Sequence, residues 1–165
     1  MNTLMGYQNF IPLLAPADIT NATTASGYMD LKGANRAGFL VVFGNVHSGS
    51  GSDVETITVE GATDPAGTEA AVAFNYRRSG IVGTNTWGAV TAATTAGCTV
   101  AITEDGILLY IEVDPEAMAA SDYRYVRVKG TATDDMANCV FGVIGVIEPK
   151  YKMTTFVTST ACGSS

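Results

Sequence analysis

The run from Ala37 to Val46 constrains the fold of this chain more than any other segment. It reads AGFLVVFGNV, so it is apolar at odd and even positions alike and rich in β-branched and aromatic side chains. Asn35 and Arg36 precede it, and a stretch rich in serine and glycine follows it. A short apolar run between turn signals is typical of a strand that is buried on both faces. We therefore predict that this strand lies at the centre of the core.

The length of 165 residues suits one domain, and 47% hydrophobic residues suffice for a substantial core. The apolar runs are nevertheless far shorter than the ~20 residues that cross a bilayer, so we expect no transmembrane helix and no membrane partner. No Lys or Arg precedes Lys32, so the basic start of a secretory signal is missing. We expect the protein to stay where it is made or to leave by assembly and lysis.

The net charge is −7, from 16 acidic and 9 basic residues. This balance argues against a nucleic-acid partner, because neutralising phosphates requires clustered Lys and Arg. The three cysteines, Cys98, Cys139 and Cys162, are odd in number and show no CxxC spacing. Because Cys98 and Cys139 lie within apolar strand patterns, we predict that both are buried free thiols.

Short alternating segments separated by turn signals begin after Gly27 and include half-buried strands over 55–60 and 70–77. Asp105 and Gly106 separate two further alternating runs, 98–103 and 107–113. An Asp-Gly pair in this position is the strongest short hairpin signal, so we predict that these two runs pair with each other.

One short helix is expected after the second of these runs. Asp114 is a favourable N-cap, Pro115 suits the first helical position, and Glu116 precedes good helix formers up to Ala120. Eight or nine short strands without βαβ alternation then predict an all-β fold, namely a two-sheet antiparallel β-sandwich such as a jelly roll.

Residues 1–26 have apolar side chains without a period of 2 or 3.6, interrupted by Pro12 and Pro16. We interpret them as an extended N-terminal arm, followed by a sandwich domain over 27–149 and a C-terminal tail over 150–165. Two alternatives stay open for the arm: it lies on a partner, or it is a first strand that packs on its own domain.

No catalytic, cofactor or metal site is predicted. His47 is the only histidine, and Ser50 lies in a loop between two strands rather than at a nucleophile elbow. The acidic pairs lack the spacing of a calcium loop, so we interpret them as solvated loop charges. These pairs are Asp53 with Glu55, Asp114 with Glu116, and Asp134 with Asp135.

Aromatic residues of the strands leave a second alternative open. They either form a platform that stacks on sugar rings or belong to the core and to cross-strand pairs. The candidates are Tyr76, Trp87, Tyr110, Tyr123 and Tyr125.

Five segments occur in an order that resembles the capsid decoration, or cement, proteins of tailed bacteriophages. The resemblance covers roughly Gly27 to Tyr151 and implies a non-enzymatic β-sandwich on the outer surface of the virion that binds the major capsid protein, often as a homotrimer. The segments are Thr58–Ala70 (TVEGATDPAGTEA), Tyr76–Gly80 (YRRSG), Trp87–Val90 (WGAV), Tyr110–Asp114 (YIEVD) and Tyr123–Val128 (YRYVRV).

If the chain is a decoration protein, we predict that the N-terminal arm attaches it to the capsid. Several arms on one oligomer would raise its avidity for the capsid. Deleting Met1 to Pro16 is then expected to leave the domain folded and to abolish capsid binding. The rival hypothesis is a carbohydrate-binding module on the virion surface. The predicted partner-binding residues are Tyr7, Phe10, Ile11, Leu13 and Leu14.

Overall fold

The computed structural model describes residues 8–18, 23–46, 54–101, 106–132 and 139–150. These residues form two antiparallel β-sheets and one short helix, α1 (Pro115–Ala120). Sheet A contains, in spatial order, β1 (Asn9–Asp18), β12 (Cys139–Pro149), β4 (Ala34–Val46), β10 (Leu108–Val113), β7 (Phe74–Arg78) and β8 (Thr91–Ala93). Sheet B contains β2 (Thr23–Ala25) and β3 (Met29–Asp30) beside β11 (Tyr125–Ala132), then β5 (Val54–Ala62), with β6 (Ala70–Val72) and β9 (Cys98–Ala101) on its far side.

Late strands insert between early ones in both sheets: β12 lies between β1 and β4, and β11 lies between β2 and β5. The order β1-β12-β4-β10 in sheet A lies opposite the order β2-β11-β5-β6 in sheet B, with antiparallel pairing throughout. This is the strand order of a jelly roll, to which β7 and β8 add a further edge on sheet A. The predicted all-β sandwich is therefore confirmed.

β4 lies in the interior of sheet A, as predicted, and one of its faces forms the centre of the core. Phe39, Val41 and Phe43 are at most 2% exposed, and the ring of Phe43 stacks on Phe141 of β12 at 6.2 Å between centroids. The prediction that β4 is buried on both faces is wrong for the described chain. Side chains on its other face, such as Leu40 and Val42, are only half-buried, because sheet B packs against the opposite face of sheet A.

The predicted hairpin between β9 and β10 does not form. β9 pairs with β5 in sheet B, whereas β10 pairs with β4 and β7 in sheet A. Gly106 has a φ of 66°, so the turn signal is genuine, but the connection passes from one sheet to the other. The segment predicted as one strand over 70–77 divides in the same way, since β6 and β7 belong to different sheets.

Helix α1 forms where the sequence predicts it. The Asp114 carboxylate accepts a hydrogen bond from the Glu116 N–H at 2.9 Å, and Pro115 occupies the first turn. Met118 is buried, and the N–H of Ser121 donates to its carbonyl at the C-terminal end. A single buried side chain and a well-formed cap are enough to place this short helix.

The N-terminal segment is a strand of the domain rather than a free arm. β1 pairs with β12 from Asn9 opposite Ile147 to Asp18 opposite Val140, and β2 pairs with β11. The predicted boundary at residue 26 therefore does not separate an arm from the sandwich. Prolines fit this position because β1 is an edge strand, where a missing N–H costs no ladder bond. Residues 1–7 and 151–165 lie outside the described residues.

The position of β1 predicts different effects for two neighbouring substitutions. Leu13 is 8% exposed and packs in the core, whereas Phe10 is 49% exposed. We expect Leu13→Ala to lower the free energy of unfolding by about 2–4 kcal/mol, and Phe10→Ala by less than about 1 kcal/mol. Urea unfolding of the two variants measures the difference. Equally small losses would contradict the packing of β1 on its own domain.

Candidate interaction surface

Residues 79–90, which we call the 79–90 loop, form a hydrogen-bonded extension beyond β7. The N–H of Ser79 donates to the carbonyl of Leu108 at 2.9 Å, and the Ser79 hydroxyl accepts from the N–H of Leu108 at 2.8 Å. Across the loop, the N–H of Gly80 donates to the carbonyl of Thr86 at 2.8 Å. These bonds hold the loop against the end of sheet A.

The 79–90 loop presents large apolar side chains to solvent. Ile81 is 62% exposed, Val82 77%, Trp87 41% and Val90 61%. Phe10 is the only other exposed large hydrophobic side chain among the described residues. Single exposed apolar residues are common, but four within one hydrogen-bonded loop are typical of an interaction site.

A groove of about 970 Å³ separates this loop from the adjoining part of sheet A. Val42 and Leu108 line its sheet side, and Ile81, Val82 and Trp87 line its loop side. Polar groups come from serine, threonine and asparagine side chains, and none of the described residues that line the groove carries a formal charge. The described lining therefore combines apolar side chains with uncharged polar ones.

The outer face of sheet A is also largely apolar. Two cross-strand rows define it: Ile144, Leu40 and Tyr110 lie side by side, as do Gly142, Val42 and Leu108. The large side chains of these rows are half-buried by one another. Burial raises the pKa of the Tyr110 hydroxyl, and the nearby Glu112 carboxylate raises it further.

The outer face of sheet B is polar and charged. Arg127 donates to Glu60 at 2.8 Å and to Glu69 at 2.7 Å, and Lys129 donates to the other oxygen of Glu60 at 2.9 Å. The guanidinium of Arg127 also lies 4.8 Å from the ring centre of Tyr28. Burial, opposed by Arg127, raises the pKa of Tyr28 to about 12.

Threonines occupy one complete cross-strand row of this same face, and two of them contact through their hydroxyls at 3.3 Å. The row contains Thr99, Thr56, Thr131 and Thr23. The two outer faces of the sandwich thus differ sharply in character.

The predicted partner-binding residues fall into different environments. Leu13 is buried, and Ile11 and Leu14 pack against the core, so these side chains are engaged within the domain. Phe10 presents about half of its surface to solvent, and Tyr7 lies outside the described residues. Capsid binding by this segment stays a prediction, now centred on Phe10.

The structure does not assemble the predicted aromatic platform. Tyr76 packs against the core beside Phe74, and Tyr110 lies on the outer face of sheet A. Tyr125 lies on the other sheet, edge-on to Tyr28 at 6.4 Å. Of the predicted set, Trp87 alone lines the groove.

The remaining candidates for chemistry are structural or lie outside the described chain. Asp114 caps α1, and Cys98 is buried, as predicted. Seven of the candidates lie wholly or partly outside the described residues. They are His47, Ser50, Asp53, Asp134, Asp135, Cys162 and the side chain of Cys139. Within the described residues, no group of three or more His, Cys, Asp or Glu side chains is placed to hold a metal ion.

The prediction that Glu55 is a solvated loop charge is wrong. The residue lies in β5 and is fully buried. A Cβ atom at Gly130, on the neighbouring strand, would collide with its carboxyl group. The glycine therefore provides the space that the buried carboxyl group occupies.

Two findings concern the class of the protein. No helix in the described part of the chain is long and apolar enough to cross a bilayer. Comparisons with protein-family models, with curated proteins and with solved structures found no match. The resemblance to capsid decoration proteins therefore stays a prediction from the quoted segments.

The ion pair between Asp30 and Arg124 predicts a pH dependence. Burial opposes ionisation of Asp30, but two hydrogen bonds from Arg124, at 2.9 and 2.6 Å, and one from the Lys32 N–H outweigh it and lower the pKa. A lowered folded-state pKa contributes stability above about pH 4, and this is lost as the pH falls further.

We therefore expect Asp30→Asn to be less stable than the wild type at pH 6 and the difference to shrink towards pH 3. Thermal unfolding of both proteins between pH 3 and pH 6 measures this difference in stability. The matched control is Asp64→Asn at an exposed position, where the carboxylate accepts a local hydrogen bond from the Ala66 N–H. A difference that is constant with pH would contradict the role of the Asp30 charge.

Proposed function

We propose that this protein is a structural virion protein that decorates and stabilises the outer surface of a bacteriophage capsid by binding the major capsid protein. The observation that carries the proposal is the difference between the two sides of the sandwich. The outer face of sheet A and the 79–90 loop are apolar, whereas the outer face of sheet B carries paired charges. Such a body is suited to attach by one side and leave the other in water.

The 79–90 loop supports a protein partner. Tryptophan is enriched among the residues that dominate binding energy, and Trp87 lies beside two strongly exposed aliphatic side chains, Ile81 and Val82. Backbone hydrogen bonds already hold the loop, so less conformational entropy is lost when a partner binds. The loop therefore resembles a preorganised anchor.

The resemblance to decoration proteins supports the same role and a homotrimer. Three copies would present three loops to the shell, and avidity rises by ~10² to 10⁴ when the geometry lets all of them engage. The proposed partners are the major capsid protein and further copies of this chain. The proposal requires no cofactor and places the protein at the outer surface of the virion.

Particle composition tests the function directly. We expect gradient-purified particles of the virus that encodes this chain to contain it in a fixed ratio, of the order of one copy per major capsid subunit. Quantitative mass spectrometry of the particles measures this ratio. Absence of the chain from purified particles would contradict the proposal.

Substitution of Trp87 tests the attachment surface. If the side chain contributes about 2 kcal/mol, as anchors of this kind do, Trp87→Ala should weaken binding to particles that lack the protein by about 30-fold. Tyr125→Ala removes an aromatic side chain from the opposite face and should leave binding unchanged. Equal affinities of the wild type and a folded Trp87→Ala variant would contradict attachment through this loop.

Carbohydrate binding is the second candidate function, and one feature of the groove favours it. Trp87 lines the same space as Ser79, Thr84 and Thr86, and sugars commonly bind between an aromatic face and polar groups. A glycan array probed with the purified chain separates the two functions. A free monosaccharide is then added as a competitor. If it blocks sugar binding by the chain and leaves capsid attachment unchanged, the result would show that the groove binds glycans.

A further inference from the structure

We propose that Arg77 is a specificity-determining residue of the capsid-binding surface and that it pairs with an acidic group of the major capsid protein. The inference rests on the proposed function and names the chemistry that the partner presents beside the 79–90 loop. It starts from the distribution of charge along the chain. After Arg77 and Arg78, no charged residue occurs before Glu104, so these two arginines are the charges at the base of the apolar loop.

The side chain of Arg77 is held beside the proposed anchor. It is exposed on the outer face of sheet A, next to Tyr110 of β10. Its Nε donates a hydrogen bond to the carbonyl of Gly88 at 3.0 Å. Gly88 directly follows Trp87, and its own N–H donates to the carbonyl of Arg78 at 2.8 Å. These bonds fix a positive charge next to the exposed tryptophan.

The terminal nitrogens of Arg77 have no hydrogen-bond or ion-pair partner among the described residues. Glu112 lies diagonally across from Arg77, two residues along β10 from Tyr110, and forms no ion pair with it. The N–H groups of a guanidinium form a planar fork that matches the two oxygens of a carboxylate. The free end of Arg77 is therefore suited to an acidic side chain of a partner.

Three other arginines of the sandwich are engaged within the domain. Arg124 and Arg127 form ion pairs with carboxylates on the side of sheet B. Arg78, the neighbour of Arg77, donates to the carbonyl of Thr99 and so connects β7 to β9. Internal contacts account for these three side chains, whereas the described contacts of Arg77 use only its Nε.

A cation at the border of an apolar contact acts mainly on association. Border charges steer the encounter with a complementary surface, so their removal changes the association rate and its dependence on salt. Apolar anchors mainly govern dissociation. The attraction between charges extends over ~30 Å at 0.01 M salt and over ~3 Å at 1 M. We therefore assign recognition of the capsid surface to Arg77 and retention on it to Trp87.

Biolayer interferometry of the full chain on immobilised particles that lack the protein, at about 0.01 to 0.5 M salt, tests the inference. We expect Arg77→Gln to associate about threefold more slowly than the wild type at low salt and equally fast at high salt. Arg77→Lys keeps the charge and loses the Nε bond to Gly88, so it should associate like the wild type. A change in dissociation that both variants share would reflect the lost bond.

Lys32→Gln is the matched control, because it also removes one exposed cation but lies beyond the end of β4 that is remote from the groove. It should associate as fast as the wild type. Circular dichroism establishes that each variant is folded.

Equal association rates of Arg77→Gln and Lys32→Gln at low salt would overturn the inference. Faster association of Arg77→Gln would also overturn it, because the partner would then be basic. An Arg77→Lys variant as slow as Arg77→Gln would do the same, since charge would not be the cause. Each of these results would leave the proposed function standing, whereas failure of the wild type to bind the particles would contradict that function itself.

Discussion

The apolar character of β4 on both of its faces is the constraint on which the rest of the structure depends. Its inward side chains Phe39, Val41 and Phe43 meet sheet B and form the middle of the core. Its outward side chains Leu40 and Val42 are only half-buried. Hydrophobic burial is non-directional, so both faces favour a covering layer. Sheet B supplies the layer on the inward face, and the proposed attachment to the capsid would cover the outward one.

The fold class follows from local patterns because strand alternation, turn residues and helix caps act over a few residues. The central position of β4 and the capped helix α1 were predicted on this basis. The pairing partners were not, because a period of two identifies which side chains face inward and not which strand lies alongside. Val100 of β9 and Leu109 of β10 both face the core, yet they do so from opposite sheets.

The interaction surface was harder to predict than the fold. The apolar residues of β1 suggested an arm, but Leu13 fills a place in the core that only the folded domain creates. Ile81 and Val82 carried a usable signal, since they stand between Gly80 and Gly83 outside any alternating run. No local pattern predicted that Glu55 is buried, because the space for its carboxyl group depends on Gly130, which is far away in sequence.

A single asymmetry connects fold, assembly and function: one side of the sandwich is apolar and the other is charged. Hydroxyl-radical footprinting of the chain, free and bound to particles, tests this asymmetry most directly. Protection of Trp87 and Tyr110 on the particle, with Tyr28 and Tyr125 as reactive as in the free chain, is the predicted result. Protection of Tyr28 and Tyr125 instead, with Trp87 and Tyr110 unchanged, would contradict it.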